Sequence, residues 1–278
     1  MRLGAITLPN APWPELVERW GRLDELGVQT VWVADHLGNP YRPEQPWHEA
    51  WACLAGMAAA TRAARIGPLV SPITFRNPAV IARAAVTIDH LSQGRLELGV
   101  GAGGSPFDHR LAGVPAWPPS ERAVRLSSFV VELARLLSDP SLAPRPLQER
   151  IPLTLGGHGP TILRLAAEYA DRWNTYAGRR LSPGDAVRIA RERNEALSRL
   201  CEERGRDPRS LTRSVLVGYG FVKEEPWRSL ESFHALVERW GAAGFDEVVV
   251  YYPPEVGMPE ASVLPGVFEQ AVAELRGG

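Results

Sequence analysis

Cysteine is scarce. Cys53 and Cys201 lie far apart in predicted helices, which excludes a disulfide framework and reads as free thiols in a reducing compartment. Long apolar runs are missing too: no stretch approaches the ~18 residues that a membrane-spanning helix needs. Residues 1–9 pattern as a strand rather than a signal peptide, so a cytoplasmic location is expected. Neither sign of charge is in excess. The formal net charge is −1 with no basic stretch, which argues against nucleic acid or an anionic membrane surface as a partner. The histidines at 36, 48, 90, 109, 158 and 234 show no HxH, HExxH or paired spacing, so no metal site is expected. Lysine is nearly absent, with Lys223 alone among 31 basic residues; this reflects genomic composition and carries no functional meaning.

The chain is organised around residues 77–103, NPAVIARAAVTIDHLSQGRLELGVGAG. Asn77 suits a helix N-cap and Pro78 the first helical position, where its missing N–H costs nothing. Val80, Ile81, Ala84, Ala85, Ile88 and Leu91 recur at helical spacing and define an apolar face. Gly94 suits the left-handed position after the helix, and Leu96, Leu98 and Val100 make a buried strand. That strand carries Gly99 and runs on into Gly101, Gly103 and Gly104, where a flat ligand or another backbone can approach closely.

Strands are also expected at 2–8, 30–34, 66–73, 152–156, 172–176, 214–222 and 247–252, alternating with helices at 14–26, 47–63, 118–137, 160–169, 183–204, 230–240 and 260–275. Eight strands alternating with helices imply parallel strands joined by helical crossovers, and their number suggests a closed (β/α)8 TIM barrel over an open sheet of eight. The 278 residues, 45% of them hydrophobic, suffice for one such domain spanning 1–278. The phrase LVERWG occurs at 16–21 and again at 236–241, each time in a helix leading to an apolar strand, as in a ring of like units.

In a barrel of this kind the active site lies at the C-terminal ends of the strands. That rule selects Asp35 and His36 after strand two, Ser71 and Pro72 after strand three, Ala102 to Gly104 after strand four, Gly156 to Gly159 after strand five, and Asn174 to Arg180 after strand six. A histidine at a strand mouth can move a proton near neutral pH; a loop histidine with no task is the plainer alternative. Gly156, Gly157, His158 and Gly159 followed by Pro160 place backbone N–H groups and a helix N-terminus where a phosphate can bind, although such loops are also plain turns.

The run DHLSQGRLELGVGAG, with IPLTLGGHGPTILRLAAEYADRWNT, resembles the luciferase-like monooxygenase family of flavin- and deazaflavin-dependent barrel enzymes. The resemblance implies a proton-transferring role for His36 beside the cofactor's reactive ring, with Asp35 helping to bind the cofactor. It also implies a cofactor contact from Ser71, passage of the cofactor over Ala102 and Gly103, and a phosphate held at Gly156, Gly157, His158, Gly159 and Pro160. A bulge, often with a cis peptide, is implied within 67–70 and is placed at Pro68–Leu69. A homodimer and a small-molecule substrate are further implications.

Three departures from the family pattern stand out. Gly104 replaces the Glu that acts as a second acid in deazaflavin-dependent sugar-phosphate dehydrogenases, so His36 acts alone or with Asp108 or His109. Ala102 replaces the Arg with which bacterial luciferases grip FMN, which favours the deazaflavin coenzyme F-420 over FMN. The insertion before strand five is reduced to 138–150, which leaves a more open pocket or a lid built from 37–47 and 105–118, where Trp47, Phe107 and Trp117 either stack on substrate or pack under loops. The expected activity is F-420-dependent hydride transfer. The rivals are a reduced-FMN monooxygenase on the same scaffold, a flavin-binding paralogue without turnover, and an unrelated barrel such as a metal hydrolase with non-local ligands.

Overall fold

The computed structural model describes residues 1–178, 181–218, 224–256 and 262–277. Among these residues nine strands form one all-parallel sheet: β1 (Arg2–Thr7), β2 (Thr30–Val33), β3 (Arg65–Pro68), β4 (Ser71–Pro72), β5 (Leu98–Gly101), β6 (Leu153–Gly156), β7 (Arg172–Thr175), β8 (Thr212–Leu216) and β9 (Glu247–Tyr252). The helices are α1 (Trp13–Leu26), α2 (Ala50–Ala60), α3 (Pro78–Leu91), α4 (Pro106–Leu111), α5 (Pro119–Ser138), α6 (Pro160–Tyr169), α7 (Pro183–Glu202), α8 (Leu230–Ala242) and α9 (Val267–Gly277).

The sheet order β3-β2-β1-β9-β8-β7-β6-β5-β4 begins and ends on the two halves of the predicted third strand. Its first half, β3, pairs with β2, and its second half, β4, pairs with β5. A parallel bridge between Ile66 and Leu96 joins the two edges. The eight expected strand positions are therefore filled, and the ninth strand arises where one run changes partners at a bulge. The bulge contains a cis peptide, and the bond is Leu69–Val70 rather than the expected Pro68–Leu69.

Side chains alternate across the barrel wall, as the two-residue repeat of a strand requires. Leu3, Ala5, Val31, Val33, Leu98, Val100, Leu153, Leu155, Val248 and Val250 face the helices in the main core. Ile6, Leu8, Trp32, Ala34, Leu69, Leu216, Val249 and Tyr251 form a second apolar cluster, with Val70 and Trp47 against it. Below it lie Glu97, Arg172 and Glu247, all less than a tenth exposed.

Several helix ends form as the sequence requires. Asn77 caps α3, its side chain accepting from Ala79 N at 2.9 Å, and Ser182 caps α7 by accepting from Asp185 N at 3.2 Å. After α3 both Gln93 and Gly94 take positive φ, at 54° and 80°. The buried face of α3 differs from the expected one. Val80 is 64% exposed and Leu91 53%, while Ala82, Val86 and Asp89 are buried instead. Asp89 is buried because it accepts from Leu147 N, Gln148 N and Gln148 Nε2, tying down the segment before β6. The repeated LVERWG helices are alike in packing: Leu16 and Trp20 on α1, and Leu236 and Trp240 on α8, are all wholly buried. The helix α4 falls where the sequence suggested only a loop.

Candidate active site

The glycines at the mouth admit protein before they admit a ligand. A Cβ on Gly99 would lie 2.0 Å from the Pro68 carbonyl oxygen, and one on Gly67 2.1 Å from that of Glu97. Gly101 and Gly156 would meet the Val70 side chain at 2.5 and 2.9 Å. The glycines of β5 and β6 thus let the bulge of β3 and β4 press into the barrel, with Val70 and Leu69 on top of the inner apolar cluster. The result is an apolar platform at the mouth.

Asp35 and Ser71 lie beside this platform, each 2% exposed. Ser71 Oγ donates to Asp35 Oδ2 at 2.6 Å and accepts from Trp51 Nε1 at 3.0 Å. The other Asp35 oxygen accepts from Arg76 Nη2 at 2.7 Å, and the same nitrogen donates to Glu49 at 2.6 Å. Burial pushes the Asp35 carboxyl up, and the Arg76 guanidinium opposes that rise. This network ties the end of β2 to β4, with its polar atoms turned on one another.

His36 is turned differently. Its side chain is one-third exposed, and Nδ1 lies 2.6 Å from Asp108 Oδ2 of α4. Asp108 is 2% exposed, and its other oxygen accepts from Leu37 N at 3.0 Å. Ser105 caps α4 by accepting from Asp108 N at 3.3 Å. Trp47 donates from Nε1 to the His36 carbonyl at 3.0 Å and meets the imidazole edge-on, with ring centroids 6.0 Å apart. Among the described residues nothing hydrogen-bonds to His36 Nε2. The carboxylate touching His36 is therefore Asp108, and Asp35 next to it in sequence is engaged elsewhere. Trp117 packs between His109 and Arg125, at 5.3 Å from the histidine ring and 4.2 Å below the guanidinium.

Gly104 lacks a side chain because another one occupies its space. A Cβ there would lie 2.7 Å from Arg122 Nη1, which donates to the Gly103 carbonyl at 2.7 Å. Arg122, in the first turns of α5, is half-buried; its Nε is buried without a partner, and it makes no ion pair among the described residues. Sequence reasoning missed it, since only the unexplained loss of a side chain at Gly104 hinted at a group from elsewhere.

At the next strand, β6 ends in Gly156, in register with Gly101 of β5. Gly157 takes φ 131° and donates its N–H to the Asn174 carbonyl at 2.9 Å, so this amide is spent on the fold. Gly159 caps α6 without a side chain and Pro160 opens it, which leaves the first-turn N–H groups free of protein caps. His158 packs edge-on against Tyr176 at 5.1 Å, and its Nδ1 is buried without a partner. Burial and the charge of Arg193 on α7 push the His158 imidazole down to about 4, so the ring is neutral at neutral pH. Arg193 also donates to the Ala177 carbonyl. Residues 179 and 180, at the end of the sixth predicted strand's loop, lie outside the described residues.

Among the described residues no group of three or more His, Cys, Asp or Glu could hold a metal ion, and no helix is long and apolar enough to cross a membrane.

Known proteins share this architecture. An F-420-dependent glucose-6-phosphate dehydrogenase of Amycolatopsis mediterranei is 33% identical over 184 residues, 59% of this chain and 54% of that protein. A phthiodiolone/phenolphthiodiolone dimycocerosates ketoreductase of Mycobacterium bovis is 28% identical over 257 residues, 79% of this chain and 65% of that protein. The chain thus spans between half and two thirds of the length of these curated relatives. Among solved structures, an F-420-dependent secondary alcohol dehydrogenase bound to an F-420–acetone adduct superposes with a TM-score of 0.77 at 18% identity, covering 99% of this chain and 97% of that one. A long-chain alkane monooxygenase gives 0.71 at 13% identity, covering 100% and 91%. These two likenesses show the fold. The model of the luciferase-like monooxygenase family matches residues 1–239, and the chain belongs to that family.

Proposed function

We propose that this chain is an oxidoreductase that uses coenzyme F-420 for hydride transfer to or from the carbinol or carbonyl carbon of a small organic substrate. The observation that carries this reading is His36: a one-third exposed imidazole at the barrel mouth, with Nδ1 bonded to a buried carboxylate and Nε2 free of partners among the described residues. The relatives that act on sugar phosphates and ketones, and the structural neighbour bound to an acetone adduct, support the carbinol and carbonyl class.

The residues present fit the cofactor. The apolar platform of Leu69 and Val70 suits an uncharged tricyclic ring, and Ala102 and Gly103 follow the neighbouring strand end without a bulky side chain. Asp35 and Ser71 brace the platform's edge from beneath. The loop Gly156, Gly157, His158, Gly159 and Pro160 leads into uncapped first-turn N–H groups of α6, and Arg122, bonded to Gly103 past the neighbouring strand end, brings a guanidinium with no acidic partner among the described residues; each suits a phosphate. The deazaflavin, when bound, supplies the carbon that accepts or gives hydride. His36 Nε2 takes the proton from the substrate hydroxyl during oxidation, or returns it to the carbonyl oxygen during reduction, so charge does not build up on oxygen.

Anaerobic titration of the apoprotein with F-420 and with FMN, followed by quenching of the nine tryptophans, tests the cofactor. FMN binding without F-420 binding would replace this reading with a reduced-FMN monooxygenase. His36→Ala tests the chemistry: coenzyme affinity persists while turnover falls by roughly 10²–10⁴. Unchanged turnover would remove His36 from the reaction, and binding of either coenzyme without any turnover in the wild type would indicate a carrier.

A further inference from the structure

We propose that Asp108 is the positioning residue for His36, fixing the Nδ1–H tautomer and so making Nε2 the atom that moves the proton. The assignment rests on the functional reading only in giving the proton-transfer step to His36; the geometry itself is independent of it.

A carboxylate can only accept, so at 2.6 Å the proton between the two groups sits on Nδ1. This holds for the neutral and the charged imidazole alike. Nε2 is then a bare lone pair in the neutral ring, which is what a base needs, and an N–H in the charged ring, which is what an acid needs. The second Asp108 oxygen accepts from Leu37 N at 3.0 Å, so one buried side chain grips both the ring and the backbone that carries it. Asp108 is itself held at the start of α4, where Ser105 accepts from its N–H. A residue 72 positions away in sequence thereby sets both the tautomer and the direction of the imidazole. Gly104, four residues earlier, carries no acid, and Arg122 fills the space where one would sit. Orientation of His36 comes from α4, through the two Asp108 contacts.

The substitution Asp108→Asn separates positioning from packing. The amide is nearly the same shape but has one acceptor and one donor end. It can serve the Leu37 N–H or the imidazole N–H, not both. If it keeps Leu37, its NH2 faces Nδ1 and stabilises the opposite tautomer, with the proton on Nε2.

The test is ¹⁵N spectroscopy of the histidine rings in the apoprotein, assigned with His36→Gln and recorded above the histidine titration range. The wild-type chain is expected to show His36 protonated at Nδ1, and Asp108→Asn a shift toward Nε2–H. Turnover of Asp108→Asn falls by roughly 10²–10⁴, with KM and coenzyme affinity within about twofold, and Asp108→Glu recovers part of it. A predominant Nε2–H tautomer in the wild type overturns the assignment without any variant, as does a tautomer ratio unchanged by Asp108→Asn. A wild-type chain that shows the Nδ1–H form but binds neither coenzyme supports the assignment and overturns the functional reading alone.

Discussion

The two ends of the barrel differ in how fully their charge is matched. At the N-terminal end, Arg172 of β7 reaches Glu97 at 3.1 Å and Glu247 at 3.3 Å, and Arg65 closes on the other side of Glu97. Glu97, Arg172 and Glu247 are less than a tenth exposed, and each is matched by opposite charge. At the mouth, Arg122 has no acidic partner among the described residues, and His36 has one nitrogen committed and one free. Taking charges out of water is costly, and a protein normally repays that cost with its own counter-charge. A half-buried guanidinium left without counter-charge is a place where an external anion can bind. The lower end is closed by its own ion pairs; the upper end keeps a cation without an acidic partner among the described residues.

The sharpest way to break this contrast is at Arg172. Arg172→Leu leaves Glu247 in the barrel interior without its counter-charge and Glu97 with Arg65 alone, and loss of one partner from a buried pair costs about 3–5 kcal/mol. Thermal unfolding at neutral pH should register that loss. Tolerance of the substitution would mean that the lower charges are not matched in the way the distances imply.

Arg122→Gln is the complementary test. Stability should fall by no more than about 0.5–1.5 kcal/mol, the share of the hydrogen bond to the Gly103 carbonyl. Affinity for F-420 or FMN should fall tenfold or more, since hydrogen bonds to charged groups contribute about 1.5–3 kcal/mol. Affinity for riboflavin or its deaza analogue, which lack the phosphate, should not change. Equal losses for both classes of ligand would assign Arg122 to the scaffold and erase the distinction between the ends.

The platform separates the glycines of the mouth into two kinds. Gly101→Ala places a Cβ 2.5 Å from Val70 Cγ2, and overpacking of this sort costs about 1–3 kcal/mol. Gly159→Ala meets nothing within 4 Å at φ −74°, so thermal unfolding should place it within about 0.5 kcal/mol of the parent. Identical behaviour of the two would mean the bulge is not pressed into the mouth by those contacts.

The sequence carries the lower end and the wall more openly than the mouth. Strands covered on both sides are apolar runs bounded by helix signals, and Leu3, Val31, Leu98 and Val248 announce themselves in that way. The run 66–73 reads as one strand because composition is blind to a change of pairing partner at Leu69 and Val70. On α3, apolar spacing promoted Val80 and Leu91 and passed over Asp89, whose burial depends on amides 58 and 59 residues away. His36 was legible because it follows an apolar strand. Its pairing with Asp108 was one option among several, decided only by the short helix α4 bringing the carboxylate back. Arg122 left no local trace, since its contact with Gly103 and Gly104 spans the whole of the intervening loop.

The smallest effect concerns His158, where the contrast reaches a neutral group. Burial and Arg193 hold its imidazole at about 4, whereas an unfolded histidine titrates near ~6.5. Between those limits the unfolded chain binds a proton that the folded chain refuses. The stabilising contribution is therefore complete above about pH 6.5 and drains away as the pH falls toward 4. Thermal unfolding of the wild type should lose more between neutral and mildly acid pH than that of His158→Gln, the difference being this group's share. The same neutrality bears on the mouth. If phosphate is held by backbone N–H groups and fixed guanidinium charge, coenzyme affinity should not follow the titration of an ordinary histidine at this position. An acid-side gain in affinity that disappears in His158→Gln would place a charged imidazole in the loop. The mouth would then supply its counter-charge by protonation, and the arginines would no longer be sufficient to explain what binds there.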